Sequence, residues 1–401
     1  MIQIALLGFG VVGSGTAEVL TENRTIIEKR LGEAFNIKYI LDLREFPNHP
    51  LGDRVVHDIA PILADPSVKV VAEMMGGSHP AYEFTKAALE AGKSVVTSNK
   101  EVVANFGTEL LRVAREHHVS YLFEASVGGG IPIIRPLRDD LAPNRIFSIS
   151  GILNGTTNFI LSKMKNDGAD FADALKEAQA LGYAEANPAA DVEGKDAARK
   201  IVILAALAFG VLLSPDEISV EGITKITKEQ TEVAEALGCA VKLIGHTERI
   251  GDRVLALVSP HLVPAASPIH HVDGVFNGIL VDADMLGKTF FYGAGAGKLP
   301  TASAVVSDIL HAATDATELP TWEKATPDRV ADPADRVCRR AFFFKGCERC
   351  AEATKAHFGY EKFVLRNGGF AFIGCPMNGK ETEKAIRACG KELCWTLPVL
   401  D

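Results

Sequence analysis

The sequence predicts an α/β protein whose N-terminal part is a parallel, doubly wound sheet covered by helices. Two observations lead to this prediction. Through the first third of the chain, short apolar runs typical of strands alternate with helical segments, which is the order of a parallel sheet. The first of these runs, residues 2–7, also leads directly into the pattern G-x-G-x-x-G at residues 8–13. Ligands bind at the carboxyl ends of strands in such sheets, so the same pattern predicts a ligand site.

Each glycine of this pattern has a physical role. Gly8 allows the tight turn out of the strand, Gly10 lets the backbone approach a pyrophosphate, and Gly13 lets the next helix pack closely. A helix over 15–31 would turn its free N–H groups and positive dipole end towards phosphates. A glycine-rich surface turn is the alternative, but the strand before and the helix after favour a Rossmann-type dinucleotide-binding turn. Its expected cofactor contacts are Gly8, Phe9, Gly10, Val11, Val12 and Gly13.

Four further predicted strands end in residues that suit a ligand site. These strands lie at 37–41, 68–75, 94–97 and 120–123. The residues that follow them are Asp42, Gly76 and Gly77, Ser98, Asn99 and Lys100, and the segment 124–130. Because the carboxyl ends of parallel strands share one edge of a sheet, the first three groups are expected to bind the cofactor.

The acid at the end of the second strand bears on the choice of cofactor. A carboxylate at Asp42 would bind the ribose hydroxyls of the adenosine and repel a 2′-phosphate, which favours NAD. Arg44, two residues on, leaves NADP open. A solvated aspartate at a strand end is the alternative interpretation.

Length and composition limit the function classes. The 401 residues are enough for two or three domains, and 47% hydrophobic with 23% charged residues is ordinary for a globular protein. A net charge of −9 gives no electrostatic case for binding nucleic acid or an anionic membrane. The apolar run 201–213 has the length of a core helix rather than a membrane span. No charged leader with a cleavage site is recognised, so a cytoplasmic location is expected.

Changes of pattern divide the chain into domains. A nucleotide-binding domain is predicted at 1–135, completed by a helix near 301–315, and an α+β domain at 136–300. A polar, proline-containing linker is predicted at 317–335. The last segment, 336–401, has the predicted order strand, helix, strand, strand, helix, strand, which is typical of an independent module.

Six of the seven cysteines lie in that last segment. Cys347 and Cys350 have the C-x-x-C spacing of a zinc half-site or of a redox pair. No second pair follows at zinc-finger spacing. Reduced, partly buried thiols are the favoured alternative in a cytosolic chain.

Asp196 and Lys200 stand four residues apart at the start of a predicted helix, so they share one face. Taken alone, such a pair is most often a solvated surface ion pair. This helix becomes apolar directly after the pair, which indicates that its start faces a cleft. An ammonium group in a cleft can stabilise an alkoxide that develops during carbonyl reduction and can supply its proton.

Three stretches carry a resemblance to a known family. They are the segments 76–100, 123–132 and 182–200. With them, and with 151–158 and 287–297, the chain resembles homoserine dehydrogenase over residues 2–312. The resemblance implies NAD(P)-dependent interconversion of L-homoserine and L-aspartate 4-semialdehyde, in the biosynthesis of threonine, methionine and isoleucine. It also implies that Lys200 and Asp196 are the catalytic residues.

The resemblance implies further sites. Its substrate contacts correspond to Lys100, Thr156, Tyr183, Glu185 and Asp191. Its site for sodium or another monovalent cation, built mostly of backbone carbonyls, corresponds to Glu124, Val127, Gly129 and Ile131. It also implies that the 136–300 domain is catalytic and forms a homodimer.

The order of elements in the last segment resembles an ACT regulatory domain, which in many members of the family senses threonine. The first loop of the segment, 345–348, lacks the customary Asp-x-x-Gly turn, so threonine feedback is not expected. Two other functions stay open: a non-catalytic NAD-binding sensor, and a dehydrogenase that acts on another small amino acid. A sensor has no need of the Asp196–Lys200 pair beside Glu185 and Asp191.

Overall fold

A computed structural model describes residues 1–314 and 319–400. The strands in this part of the chain are β1 (Ile2–Leu7), β2 (Phe35–Leu41), β3 (Val55–Val56), β4 (Val68–Glu73), β5 (Ser94–Thr97), β6 (Tyr121–Leu122), β7 (Ile146–Ile152), β8 (Val211–Leu212), β9 (Ser219–Val220), β10 (Cys239–Ile250), β11 (Arg253–Pro264), β12 (Phe276–Ala283), β13 (Gly287–Ala294), β14 (Glu323–Lys324), β15 (Arg340–Lys345), β16 (Val364–Arg366), β17 (Gly369–Ile373) and β18 (Leu393–Pro398).

The α-helices of the described residues are α1 (Val11–Glu22), α2 (Arg24–Leu31), α3 (Ala60–Ala64), α4 (Ala81–Glu90), α5 (Lys100–Glu116), α6 (Gly155–Asn166), α7 (Phe171–Ala180), α8 (Ala189–Val192), α9 (Lys195–Phe209), α10 (Lys228–Ala236), α11 (Lys298–Thr314), α12 (Glu348–Phe358) and α13 (Gly379–Cys389). None of them is both long and apolar enough to cross a membrane.

The chain forms two compact units, and each is discontinuous in sequence. Unit 1 comprises Met1–Arg145, Val202–Pro215 and Gly293–Ala325. Unit 2 comprises Ile146–Ile201, Asp216–Tyr292 and Thr326–Asp401. Asp315, at the end of the helix predicted near 301–315, and residues 317 and 318, at the start of the predicted linker, lie outside the described residues.

Unit 1 is built on a parallel sheet with the strand order β3-β2-β1-β4-β5-β6. Strand β1 is almost wholly buried, because helices pack on the sheet as they do in doubly wound folds. This is the strand order of Rossmann-type dinucleotide-binding domains, whose ligands lie beyond the carboxyl ends of the strands. The predicted α/β fold class is therefore confirmed.

The helix predicted over 15–31 is two helices, α1 and α2, which Asn23 separates. The first begins at Val11, directly inside the glycine motif. Gly15 faces α11, since a Cβ atom there would lie 2.8 Å from the Lys298 side chain, and Lys298 forms an ion pair of 2.6 Å with Glu18. Helix α11 thus packs on α1 in unit 1.

Unit 2 contains a second sheet, in the order β13-β12-β7-β10-β11-β9. The long hairpin of β10 and β11 forms much of it. The sequence does not predict β10, because its buried residues include Lys242 and His246, which interrupt an apolar pattern. The Lys242 ammonium group is satisfied inside the unit by Asn158 at 3.1 Å and Asp273 at 2.8 Å.

The last segment of the chain has the predicted order strand, helix, strand, strand, helix, strand, and an antiparallel sheet in the order β16-β17-β15-β18. That order is the split βαβ arrangement of ferredoxin-like folds. One face of this sheet carries the stacked rings of Phe342, Phe344, Phe370 and Phe372, and Phe358 of α12 packs against them.

This segment is packed into unit 2, whereas the sequence predicts an independent module. On the other face of its sheet, Phe343 and Trp395 join a core cluster with Val233 of α10. The backbone N–H of Leu400 donates to the carbonyl of Leu262 at 2.9 Å, and the Leu400 side chain belongs to a buried cluster with Ile152. Removal of the segment would therefore expose core surface of unit 2.

The described part of the predicted linker is packed as well. In unit 1 the Arg115 guanidinium donates to the Pro320 carbonyl at 2.8 Å, and the Glu323 N–H donates to Gly210 at 2.9 Å. In unit 2 the Ala331 N–H donates to Val254 at 3.0 Å. The backbone of residues 319–335 is thus held by hydrogen bonds at several points.

Candidate active site

The candidate catalytic pair lies at the start of α9. The Lys200 Nζ atom is 2.7 Å from Asp196 Oδ2, and the two residues are only 8% and 6% exposed. The spacing of four residues places both side chains on one face of the helix, as the sequence predicts. The alternative of a solvated surface pair is excluded by this burial.

The carbonyl group at the end of β7 holds the lysine from another direction. Lys200 Nζ donates to the carbonyl of Leu153 at 2.7 Å. Its ammonium group is therefore fixed by a carboxylate on its own helix and by the backbone that follows a strand. A buried ammonium needs such partners, because desolvation of an unpaired charge costs several kcal/mol.

Asn154 links this pair to the rest of the site. Its Oδ1 atom caps α6 by accepting the Thr157 N–H at 2.9 Å. Its Nδ2 atom donates to Asp191 Oδ1 at 2.7 Å and to Asp196 Oδ2 at 2.9 Å. One amide therefore orients two carboxylates. Sequence reasoning missed Asn154 as a site residue, although an asparagine between a strand and a helix is a typical N-cap.

Three predicted substrate residues lie on or beside the loop that precedes α8. The hydroxyl of Thr156 donates to the carbonyl of Tyr183 at 2.6 Å. The Tyr183 ring is 44% exposed and lies edge-on to Phe159, with centroids 5.1 Å apart. The side chain of Glu185 is exposed, while its carbonyl accepts from Gln179 at 3.1 Å.

The structure thus brings Asp191, Asp196 and Lys200 together around Asn154, and it places Thr156 against the Tyr183 backbone. Glu185, by contrast, is exposed. Lys100 belongs to unit 1, where it is the first residue of α5.

The glycine motif forms the turn that the sequence predicts. Gly8 has φ +87°, and a Cβ atom at Gly13 would lie 2.0 Å from the Gly8 carbonyl oxygen. A Cβ atom at Gly10 would meet no atom within 4 Å. Gly10 is also the N-cap of α1 and supplies no side chain to its first N–H groups. The turn therefore leaves space and backbone donors for a phosphate group, next to Val11 and Val12.

The Asp42 side chain contacts this turn. Its Oδ2 atom accepts the backbone N–H of Phe9 at 2.8 Å. Arg44 binds the same carboxylate through two side-chain N–H groups, each at 2.9 Å. The Arg44 guanidinium holds the pKa of the Asp42 carboxyl well below its usual range. Asp42 is therefore ionised near neutral pH and paired with an arginine that is 61% exposed.

The second part of the predicted nucleotide site lies in the loops that follow β4 and β5. Asn99 caps α5 and donates through Nδ2 to the carbonyl of Gly77 at 2.8 Å. The Ser98 N–H donates to the carbonyl of Glu73 at 3.2 Å. Gly77 has φ +76°, and a Cβ atom at Gly76 would meet open space. The predicted contacts Gly77, Ser98 and Asn99 thus share one hydrogen-bond network with Glu73, and Gly76 precedes Gly77 in the same loop.

Glu73 is a buried carboxyl that sequence reasoning missed. It accepts the hydroxyl of Thr97 at 2.5 Å and the N–H of Met75 at 2.8 Å. Burial raises its pKa to about 7, although those hydrogen bonds oppose the rise. An acidic residue at the end of an otherwise apolar strand was the available signal.

The residues of the predicted cation site form a tight turn in unit 1. The carboxylate of Glu124 accepts the backbone N–H groups of 133–135 at 2.7–2.8 Å. Gly129 has φ +58°, and a Cβ atom there would lie 2.4 Å from the Gly295 carbonyl oxygen. The Glu124 side chain is therefore engaged by backbone donors of the same unit. In the part of the chain that the structure describes, no cluster of three acidic, histidine or cysteine side chains could hold a metal.

The strand order of unit 1, its glycine turn and the buried lysine–aspartate pair of unit 2 define an oxidoreductase that uses a nicotinamide dinucleotide. Comparisons with known proteins agree. The family model for the NAD binding domain of homoserine dehydrogenase matches residues 8–124, and the homoserine dehydrogenase model matches 132–310. The homoserine dehydrogenase of Neisseria gonorrhoeae is 48% identical over 311 residues, which cover 77% of this chain and 72% of that protein.

Solved structures give the same result. The crystal structure of a homoserine dehydrogenase from Thiobacillus denitrificans is similar with a TM-score of 0.88 and 35% identity, covering 100% of this chain and 98% of that one. A hyperthermophilic archaeal homoserine dehydrogenase in complex with NADPH is similar with a TM-score of 0.67 and 29% identity, over 77% of this chain and 96% of that one. The chain belongs to the homoserine dehydrogenase family.

Proposed function

We propose that this chain interconverts L-homoserine and L-aspartate 4-semialdehyde, with Lys200 as the proton donor and acceptor. The buried contact between Lys200 and Asp196, held by Asn154, is the observation that carries this proposal. When bound, the nicotinamide cofactor supplies or accepts the hydride. In the direction of reduction, the Lys200 ammonium group stabilises the alkoxide that forms on the aldehyde oxygen and gives it a proton. In the reverse direction, neutral Lys200 takes the proton of the hydroxyl group.

Asp196 and the Leu153 carbonyl act as positioning groups. Both accept from Lys200 Nζ at 2.7 Å, so the nitrogen is fixed before substrate arrives. The negative charge of Asp196 favours the ammonium form, which is the form that reduction requires. Fixed geometry of this kind accelerates proton transfer because little reorganisation is needed in the transition state.

The amino-acid part of the substrate needs an anion for its ammonium group and a cation for its carboxylate. Asp191 and Glu185 are the anions proposed for the ammonium group, with Thr156 and Tyr183 beside them. Lys100 keeps the substrate contact that the family resemblance implies. Asp191 is supported most directly, because the Asn154 amide places its carboxylate beside the catalytic pair.

NAD is the proposed preferred cofactor, with NADP as the second choice. The Asp42 carboxylate is ionised and faces the glycine turn, so a 2′-phosphate placed there would meet a negative charge. Arg44 could pair with that phosphate only by giving up its two hydrogen bonds to Asp42. The archaeal homoserine dehydrogenase in complex with NADPH supports NADP as the second choice.

A monovalent cation such as sodium is proposed at the turn of Glu124, Val127, Gly129 and Ile131. Oxygen donors from the backbone suit a hard cation of single charge, and bound there it would stiffen the turn. The four positions are proposed from the resemblance, and the constrained backbone at Gly129 supports them.

A homodimer formed by residues 136–300 is proposed as well. The strands β12 and β13 carry exposed aromatic side chains. Phe276 and Tyr292 are both exposed and stack with centroids 5.4 Å apart. A second copy of the chain could cover these two rings, and such an interface would have to extend to the residues around them.

The test is the change in nicotinamide absorbance when the full chain is mixed with L-homoserine and either NAD or NADP. Turnover with homoserine that exceeds turnover with other small hydroxy amino acids supports the proposal. Cofactor binding without turnover would favour the sensor, and faster turnover of another amino acid would favour a different dehydrogenase.

A further inference from the structure

Two thiols meet at the start of α12, outside the candidate active site. Cys347 is the N-cap residue of this helix, and Cys350 lies in its first turn. Their Sγ atoms are 3.8 Å apart. Cys347 is exposed and Cys350 is partly exposed, so small molecules can reach the pair.

The surroundings of Cys347 favour its thiolate form. The backbone N–H and the thiol of Cys350, and then the backbone N–H of Arg349, lower the pKa of the Cys347 thiol by hydrogen bonding. The positive end of the helix dipole acts in the same direction. Cys394, in the same segment, is a contrast: it is exposed like Cys347, but partial desolvation raises the pKa of its thiol.

The backbone before the pair leaves room for the second sulfur. Gly346 has φ +143°, and a Cβ atom there would lie 3.1 Å from Cys350 Sγ. Any other residue would therefore crowd the sulfur. A disulfide needs the two sulfur atoms to approach to about 2.05 Å. Within a C-x-x-C turn this approach needs rotation of two side chains that already face each other.

We propose that Cys347 and Cys350 are a reversible redox dithiol that exchanges with small-molecule disulfides. The Cys347 thiolate attacks one sulfur of the small disulfide, whose S–S bond breaks and releases one thiolate, which takes up a proton. Cys350 then loses its proton and attacks the Cys347 sulfur of the mixed disulfide. The second small thiolate leaves and is protonated. The protein dithiol is oxidised by two electrons, and the small disulfide is reduced to two thiols.

The other assignments for this pair are less well supported. Zinc needs four ligands in a structural site, and in the described residues no third acidic, histidine or cysteine ligand joins the pair.

Two other cysteines are poorer candidates for this chemistry. The thiol of Cys389 donates to the backbone carbonyl of Ile386 at 3.1 Å. Burial raises the pKa of the Cys239 thiol to about 11, which makes it a poor nucleophile.

The experiment uses the full chain, equilibrated with reduced and oxidised glutathione in varied ratio, blocked with an alkylating reagent and cut with trypsin. Trypsin cleaves after Lys345, Arg349 and Lys355, so the two cysteines fall in separate peptides, 346–349 and 350–355. Oxidation should yield one species that contains both peptides and separates on reduction. The reduced Cys347 should also react with iodoacetamide at least about tenfold faster than Cys394 near neutral pH.

Cysteine variants show which residues carry out the disulfide exchange, and their measurement does not depend on dehydrogenase activity. Cys350→Ser should stop exchange at a glutathione mixed disulfide on Cys347. Cys375→Ser, in the same segment, should leave the joined peptides unchanged, and far-ultraviolet circular dichroism confirms folding of each variant. Equal reactivity of Cys347 and Cys394, or glutathione on both cysteines with no joined species at any ratio, would overturn the proposal. Homoserine turnover, measured in parallel, tests the proposed function separately.

Discussion

Unit 1 and unit 2 each place an aspartate against a basic side chain, and the two pairs differ in their exposure. In unit 2 the Asp196–Lys200 pair is buried, and Asn154 and a backbone carbonyl provide further contacts. In unit 1 the Asp42 carboxylate is partly buried, while its partner Arg44 extends into solvent. The buried pair can hold one nitrogen in a fixed place. The exposed arginine can leave its partner at little cost, since surface ion pairs contribute only about 0–1 kcal/mol.

This difference separates two functions that the same charges could serve. A proton donor must stay in one position, which burial and several acceptors ensure. A group that selects between two cofactors must instead adjust to the molecule that arrives. Sequence spacing shows only that each pair can form. The burial of the basic residue, Lys200 or Arg44, decides which function the pair can perform.

The largest expected effect tests the buried pair. Replacement of Lys200 by alanine should lower kcat by a factor on the order of 10² to 10⁴, because a general acid is lost. Cofactor affinity should change little. The matched control is Lys195→Ala on the same helix, whose exposed side chain pairs with Glu193 at 2.5 Å. Steady-state kinetics of both variants decide the matter, and near-native turnover of the Lys200 variant would remove it from the mechanism.

The next effect tests how the buried pair is held. Asn154→Ser keeps an oxygen that can cap α6 but removes the amide that donates to Asp191 and Asp196. We expect kcat to fall about tenfold and KM for homoserine to rise, because both carboxylates lose a donor. The pH dependence of kcat should also move, since loss of that donor raises the pKa of the carboxylates. A fall in stability with an unchanged pH profile would show that Asn154 has only a structural role.

The exposed pair should give smaller changes in cofactor selection. Arg44→Ala removes the cation that could pair with a 2′-phosphate, so kcat/KM for NADP should fall by about 5- to 10-fold relative to NAD. Asp42→Ala should raise the ratio in favour of NADP by a similar factor. Kinetics with both cofactors measure this ratio. A native enzyme that prefers NADP would contradict the proposed preference, and an unchanged ratio in Asp42→Ala would show that Asp42 is not the selector.

The last effect is on stability rather than on catalysis, and it concerns Glu73, a buried carboxyl at the end of β4. Its folded-state pKa, about 7, lies above that of the unfolded chain, so the native state binds more protons between about pH 4.5 and 7. Its contribution to stability is therefore lost as pH rises through that window. Glu73→Gln should remove this dependence. The free energy of unfolding of the variant, relative to that of the native chain, should therefore be about 1–3 kcal/mol higher at pH 8 than at pH 4. Chemical denaturation at both pH values measures the difference, and equal pH slopes for the two proteins would disprove it.

Much of the fold follows from patterns that have one physical interpretation. The strand that leads into Gly8, and the tight packing of Gly13 against the Gly8 carbonyl, leave few alternatives to a nucleotide-binding turn. The alternation of strands and helices predicts the parallel sheet of unit 1. The order of elements in the last segment is likewise predicted, because each of its helices and strands is short and separated by turn residues.

The patterns fail where polar residues are buried. A lysine such as Lys242 is expected at the surface. In β10 it is instead buried, and Asn158 and Asp273 bind it inside unit 2. Asn154 and Glu73 were missed for the same reason, since their importance depends on partners that are distant in sequence. The packing of the last segment also depends on distant contacts, such as that of Leu400 with Leu262. Local periodicity carries no information about such pairs.

The discontinuity of the two units has a consequence for synthesis of the chain. Unit 1 needs α11 and residues up to Ala325, and unit 2 needs residues as far as Leu400 for its core. A growing chain on the ribosome therefore exposes apolar strands of both units until these late segments emerge. Because such surfaces aggregate readily, the chain is most prone to association before Ala325 completes unit 1 and Leu400 completes unit 2.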